Sequence, residues 1–392
     1  MKLLSTILLS CLCVSGIAQS NTEDNTMPFV YHGHIYLPTT INDSVKLNTL
    51  FDTGAANIFG VDSVALKQSN WHPQKIGKAK AGGAAGATMV KIIVDGTKVK
   101  MGNMEQQYQM VPIFKLRDVV DRHVDGIWGI KDISRYPFEI NFEKHYLKQY
   151  ISGKANTEGY MELPIKYEND RIKLEAGVQV GGKRIHGWFL MDTGSGSTFS
   201  FTSKAMKDFG IDKIDGKRLY LDMANLGIGD KSLETIVEMM SDYILIGSDT
   251  IRYTEIEYTP EGIGALGDRP YLGIIGNGIW DKFNIIIDAK KQKLYLRRHK
   301  ADKPLDKKYG YSWQNRTDIC QGWIVRGLYR NSAASEAGLE IGDTIISVNG
   351  RDVKNYTWDE EDDLSKFPRQ ELNIISASGK QKYITLEAKE YW

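Results

Sequence analysis

Two aspartates stand in the same local setting: Leu50-Phe51-Asp52-Thr53-Gly54-Ala55 and Leu190-Met191-Asp192-Thr193-Gly194-Ser195. Each ends an apolar run of strand character and is followed by a hydroxyl and a glycine. A carboxylate in that place is costly to bury unless it is hydrogen-bonded or does chemistry. Two carboxyls a few ångströms apart cannot both ionise, so they share one proton. The ionised one acts as general base on a water held between them, and the protonated one donates to a carbonyl oxygen as a tetrahedral intermediate forms. The pair titrates as a unit. This chemistry calls for no metal and no cofactor. The seven histidines show no metal-ligand spacing and no His-Glu-x-x-His, which argues against a zinc peptidase. No Gly-x-Ser-x-Gly stands at a strand–helix junction to support a serine nucleophile.

The surrounding elements recur in the same order. In the first half Val45 to Phe51 reads as a strand running into Asp52, and Val61 to Lys67 has helical spacing. A glycine cluster (Gly82, Gly83, Gly86) then lies between two strand-like stretches, and an apolar run ends at Gly129. In the second half Ile185 to Met191 runs into Asp192, Ser203 to Phe209 is a short helix, Gly227 and Gly229 form a second tip, and an apolar run ends at Gly276. This is a repeat of a structural unit rather than of sequence. It predicts a mainly β chain in which two β-rich lobes, related by a pseudo-twofold, each deliver one Asp.

The two motifs, with Ile127-Trp128-Gly129 and Ile274-Ile275-Gly276 downstream, resemble the aspartic peptidases of the pepsin and retropepsin kind, over roughly residues 29 to 298. The resemblance implies cleavage of extended peptides in a cleft between the lobes. It makes Asp52 and Asp192 the catalytic pair, and Thr53, Gly54, Ala55, Thr193, Gly194 and Ser195 their supporting loops. The glycine tips would close over the peptide. There are departures: no internal disulfide is available to the mature chain, and the first tip has no Tyr of the pepsin type. The residues after the motif glycines also differ. A Ser195 hydroxyl donating to its carboxylate would favour the charged form, so Asp192 is the expected ionised partner.

A third module follows. Gly322-Trp323-Ile324-Val325, then Ser332 to Leu339, then Gly342-Asp343-Thr344-Ile345-Ile346-Ser347-Val348-Asn349-Gly350 combine a capped helix, a turn into a strand and a strong hairpin signal. This resembles a PDZ domain of the bacterial secreted-peptidase type, a small α+β fold. Such domains add a peptide strand to a sheet edge and hold a C-terminal carboxylate with backbone amides. By resemblance, Gln321, Gly322, Trp323 and Ile324 would bind that peptide, and Lys354 to Lys366 would be the helix lining the groove. The acidic run Asp359 to Asp363 reads as a solvated face.

The chain has 392 residues, 42% hydrophobic and 25% charged, with a formal net charge of +1. That is ordinary globular composition, with no charge excess to suggest a nucleic-acid partner. Residues 1–18 read as a signal peptide with small residues before a cleavage after Ala18, so the expected location is periplasmic or extracellular. Cys11 as a lipoprotein anchor would leave a very short apolar stretch and is the lesser reading. Cys320 is then the single thiol of the mature chain, expected packed and inert. Residues 20 to 27 are polar and expected to be disordered. No later stretch is apolar enough for a transmembrane segment. The expected organisation is lobe 1 at 28–155, lobe 2 at 156–299, a charged linker at 300–308 and the PDZ domain at 309–392. The expected function is an exported aspartic endopeptidase acting on peptide or unfolded protein, its PDZ domain taking C-terminal peptides. The alternative is a non-catalytic peptide-binding protein that keeps both folds.

Overall fold

A computed structural model describes residues 24–392, apart from residues 57, 84, 230–232 and 307. The expected signal peptide, with Cys11, lies outside the described residues. The fold is mainly β, with about 48% of residues in strands and 12% in helices.

The strand Val45–Asp52 ends on the first aspartate and pairs in parallel with Gly126–Gly129, which sets Trp128 beside Phe51 and Gly129 beside Asp52. Gly126–Gly129 also pairs antiparallel with Phe59–Asp62. The second half repeats the arrangement. Lys183–Met191 pairs in parallel with Gly273–Ile275, which pairs antiparallel with Phe199–Phe201. Inner strands covered on both faces need continuous apolar runs, which is why Gly126–Gly129 and Gly273–Ile275 are buried throughout. Asp62 and Thr202 cap the short helices Ser63–Gln68 and Ser203–Phe209, and Gly210 ends the second in the left-handed region.

The lobes are joined by a shared sheet. Phe138–Asn141 of the first pairs antiparallel with Phe283–Asp288 of the second. Tyr146–Gln149 extends it on one side and Lys293–Arg298 with Met161–Glu168 on the other. One apolar cluster runs through both halves, from Met27 and Leu37 to Leu294 and Leu296. The expectation of disorder up to residue 27 needs correcting where the structure describes the chain. Asn25–Pro28 is a strand on Tyr146–Gln149, Met27 is buried, and the Asn25 side chain accepts from the Asn103 N–H at 2.8 Å. A free sheet edge offered partners that local polarity does not reveal.

The third module has its own core around Trp323, Val325, Ile345, Leu372 and Ile374. Trp313 stacks on Trp323 with centroids 4.0 Å apart. Asn349 and Gly350 both have positive φ and close the turn between Thr344–Val348 and Arg351–Asp352. This module is not a pendant. Its strand Trp323–Tyr329 pairs with Leu219–Ala224 of the second lobe, Leu221 opposite Tyr329 and Met223 opposite Gly327. Within the expected linker, the Lys308 Nζ donates to Glu255 at 2.7 Å, and Lys308 pairs its backbone with Lys389. On the first-lobe side, the buried Arg117 joins Asp125 at 2.7 Å to Asp318 of the third module at 3.0 Å, and donates to Gln68 at 2.9 Å.

A buried arginine bonded to carboxylates of two modules is expensive to remove, because Asp125 loses its counter-charge and the tie to Asp318, which keeps Arg316, is cut. Arg117→Met is expected to lower stability by about 3–5 kcal/mol, read by urea denaturation, and to speed amide exchange at the contact between lobe 1 and the third module.

Candidate active site

Asp52 and Asp192 come together where the two inner strands end. Four crossed hydrogen bonds hold their loops. Thr53 N–H donates to Thr193 Oγ1 at 3.0 Å, and Thr193 N–H to Thr53 Oγ1 at 3.0 Å. The Thr53 hydroxyl donates to Met191 O at 2.9 Å, and the Thr193 hydroxyl to Phe51 O at 3.0 Å. Both threonines are fully buried. Beside them each motif glycine lies against the opposite carboxyl group. A Cβ on Gly54 would come within 2.5 Å of Asp192 Cγ, and one on Gly194 within 2.3 Å of Asp52 Cγ. No side chain other than hydrogen fits at either place.

The carboxyl groups hydrogen-bond each other, and both titrate above the ordinary carboxylate range. For Asp52 the cause is burial, opposed by the Ala55 N–H, the bond to Asp192, the Gly54 N–H and the nearby charge of Arg171. For Asp192 burial is joined by the charge of Asp52 and by the hydrogen bond to it, and the displacement is larger. Two carboxyls so enclosed hold one proton between them, and the pair titrates as a unit. Asp52 Oδ1 receives the Gly54 N–H at 2.7 Å and the Ala55 N–H at 2.9 Å; Asp192 Oδ1 receives the Gly194 N–H at 2.9 Å, and the Ser195 N–H also bonds this carboxyl. The Ser195 hydroxyl does not reach its carboxylate. It bonds Ser197 Oγ at 2.8 Å, and Ser197 in turn bonds Ser200 Oγ at 2.8 Å. Ala55 contributes through its backbone, a contribution that side-chain identity could not reveal.

The two glycine tips meet. The hairpin Ile76–Gly83 with Gly86–Ile93 carries Gly82, Gly83 and Gly86 to the loop after Leu219–Ala224, which carries Gly227 and Gly229. The Ala85 N–H donates to Ile228 O at 3.1 Å, and Ala85 bridges Gly229. Ile228 then packs in an apolar cluster with Ala55, Ile58, Leu50 and Ala81 of the first lobe, while Leu226 packs with Leu190, Ile274 and Tyr271 of the second. The tip of the second hairpin thus spans from one aspartate loop to the other.

Gln321, Gly322, Trp323 and Ile324 do not form a peptide groove. Trp323 and Ile324 pair with Asn315 and Gln314 on one side and with Ile345 and Thr344 on the other, so their backbone is committed to the sheet. Trp323 is fully buried, a Cβ on Gly322 would strike Ile345 O, and the Gln321 side chain is held by Lys354. The open edge belongs to Tyr311–Asn315, facing the helix Trp358–Asp363, and lobe 1 already occupies that space. The Arg122 N–H donates to Asn315 O at 2.9 Å, and the Gln314 side chain donates to Val120 O at 2.7 Å. Trp358 stacks on His123 at 4.1 Å and on His32 at 4.2 Å. The acidic run, expected as a solvated face, is partly docked. Asp362 meets His32 Nδ1 at 2.6 Å, and buried Glu361 accepts from Asn315 at 2.5 Å.

The PDZ domain family model matches residues 301–375, so the chain carries a PDZ domain. No peptidase family is matched by the two lobes. No curated protein matches the chain.

Arg171 was not singled out from sequence. Its Nε donates to Gly54 O at 3.2 Å, across from the second lobe to the first aspartate loop. An arginine directly after the Asn169-Asp170 turn looks like ordinary surface charge; only the tertiary position gives it a part.

The site predicts a dependence of stability on pH. Asp192 binds its proton more tightly folded than unfolded, so stability is full below the ordinary carboxylate range and declines as pH rises toward the folded-state value. Asp192→Asn removes that titration while the amide can still donate to Asp52. The variant is expected to melt higher than the parent at pH 7.5, with the gap shrinking by pH 4, as read by calorimetry. An equal gap at both pH values would contradict a proton held more tightly in the folded state.

Proposed function

We propose that the chain is an aspartic endopeptidase in which the Asp52/Asp192 pair hydrolyses peptide bonds. The observation that carries this reading is the crossed threonine lock, which brings two carboxyls from separate lobes into hydrogen-bond contact. With substrate between the lobes, ionised Asp52 takes a proton from water as its oxygen attacks the scissile carbonyl carbon. Asp192 gives its proton to the carbonyl oxygen, yielding a neutral tetrahedral diol. Collapse of the diol breaks the C–N bond, the proton returning through the pair to the leaving nitrogen, so one water is consumed for each acid and amine produced.

The PDZ domain supports a peptide-binding role. Because its edge strand and helix are occupied by residues 120–123 of lobe 1, we propose that this domain acts first as a wall of the peptidase and takes external chain ends only when lobe 1 yields. The N-terminal pattern supports export to a periplasmic or extracellular space, and no described helix is long and apolar enough to cross a membrane.

The test is cleavage of a mixed peptide library between about pH 3 and 7, with products read by mass spectrometry. Asp52→Asn and Asp192→Asn are each expected to lower turnover by about 10²–10⁴-fold. Activity that survives both substitutions would rule out the pair. Peptide binding by calorimetry with no product would favour the non-catalytic peptide-binding alternative.

A further inference from the structure

Arg326 lies in the PDZ strand Trp323–Tyr329, but its side chain leaves that domain. It reaches the seam between the lobes, donating to Val119 O of the first and, at 2.9 Å, to Asn225 O at the base of the second glycine tip. Met223 Sδ lies 3.9 Å away. Its Nε is buried and bonds to nothing. Among the described residues no carboxylate pairs with this guanidinium. Burial draws its pKa down to about 10, and the more distant Asp121 only partly restores it. Close to it stands His34, which hydrogen-bonds the backbone of Gly194 and whose ring a Cβ on Gly196 would meet at 3.4 Å. Burial and the charge of Arg326 draw His34 down to about 4, so at neutral pH it offers no competing cation and no counter-ion.

A largely buried guanidinium without an anion costs several kcal/mol. Two backbone carbonyls could be bridged by a neutral amide without that cost. The cation, its unbonded Nε and its place beside His34, which bonds the Asp192 loop, and under the base of the second tip suit a substrate carboxylate that reaches it as the tip moves and exchanges for the two carbonyls. Arginine's planar fork matches a carboxylate by two parallel bonds.

We infer that Arg326, lent by the PDZ domain, is the residue through which the cleft selects peptides bearing a carboxylate beyond the scissile bond. The inference rests on the peptidase reading and gives its substrate class. The carboxylate can be an acidic side chain or the free end of the peptide, and the test separates these sources.

Matched peptides carrying Glu or Gln at each position, each with a free or an amidated C-terminus, are compared by kcat/KM. The parent is expected to prefer the carboxylate-bearing member by at least about tenfold, the yield of one charge-assisted pair. Preference for Glu in amidated peptides assigns the side chain; preference for the free terminus in Gln peptides assigns the chain end. Arg326→Gln, which keeps donors for both carbonyls, is expected to bring the two members within about twofold through a rise in KM for the charged one. Arg326→Lys is expected to keep part of the preference. No preference in the parent, or a preference surviving Arg326→Gln, overturns the inference. The same peptides are titrated by fluorescence anisotropy onto the Asp52→Asn chain. If nothing is cleaved but the binding preference and its loss in the double variant remain, the peptidase reading fails and the Arg326 inference stands.

Discussion

Everything at the centre of this molecule depends on a reciprocal approach of two loops. Each threonine accepts from the other's backbone and donates across to the strand that precedes the other's aspartate. That geometry brings each carboxyl against the opposite glycine at distances that no larger residue would permit. The buried threonines have no water to fall back on, so the lock is held or lost as a unit. It also explains the charge state. Two carboxyls so enclosed cannot both ionise, and each is met by backbone N–H groups of its own loop, Gly54 and Ala55 for Asp52, Gly194 and Ser195 for Asp192.

Much of this was legible because the constraints are local. An apolar run ending in Asp-Thr-Gly, written twice, specifies a buried inner strand, a hydroxyl and a place without a side chain. The short helix Ser203–Phe209 matches its sequence bounds, and the structure shows why it starts and stops there: Thr202 caps it by side chain and Gly210 by left-handed backbone. The glycine tips were legible as tips, but not as partners of each other. The errors share one cause. Ser195 looks like a donor to Asp192 until Ser197 is seen to claim it, Gln321 to Ile324 look like a loop until both neighbouring strands are present, and residues 25–28 look disordered until Tyr146–Gln149 offers an edge. Each is a competition for hydrogen bonds settled by a segment far away in sequence.

The PDZ domain changes what the two lobes are. A strand of lobe 2 continues into its sheet, a segment of lobe 1 lies between its open edge and its helix, and Arg117 ties the corner with two carboxylates. Trp358 between two imidazoles buries aromatic faces that each lobe alone would expose. A peptide competing for the PDZ edge must displace these contacts, so its apparent affinity is reduced by the cost of releasing lobe 1.

The roof over the aspartates is held more lightly than the floor. Beneath the pair lie a shared sheet and a continuous apolar core; above it the tips meet through one described backbone hydrogen bond and a single isoleucine, Ile228. One such bond contributes on the order of 1 kcal/mol net, far less than the crossed threonines and the glycine approach they enforce. On the proposed peptidase reading, admission of a peptide therefore has an easy direction. The tips can part and re-form on an extended chain, whose own backbone supplies the lost hydrogen bond, while the dyad below keeps its geometry. The PDZ domain borders this route through Arg326, whose bonds to Val119 and Asn225 join one wall to the base of the second tip. A substrate carboxylate that drew the guanidinium away would loosen the roof as it bound, coupling recognition of charge to opening of the cleft.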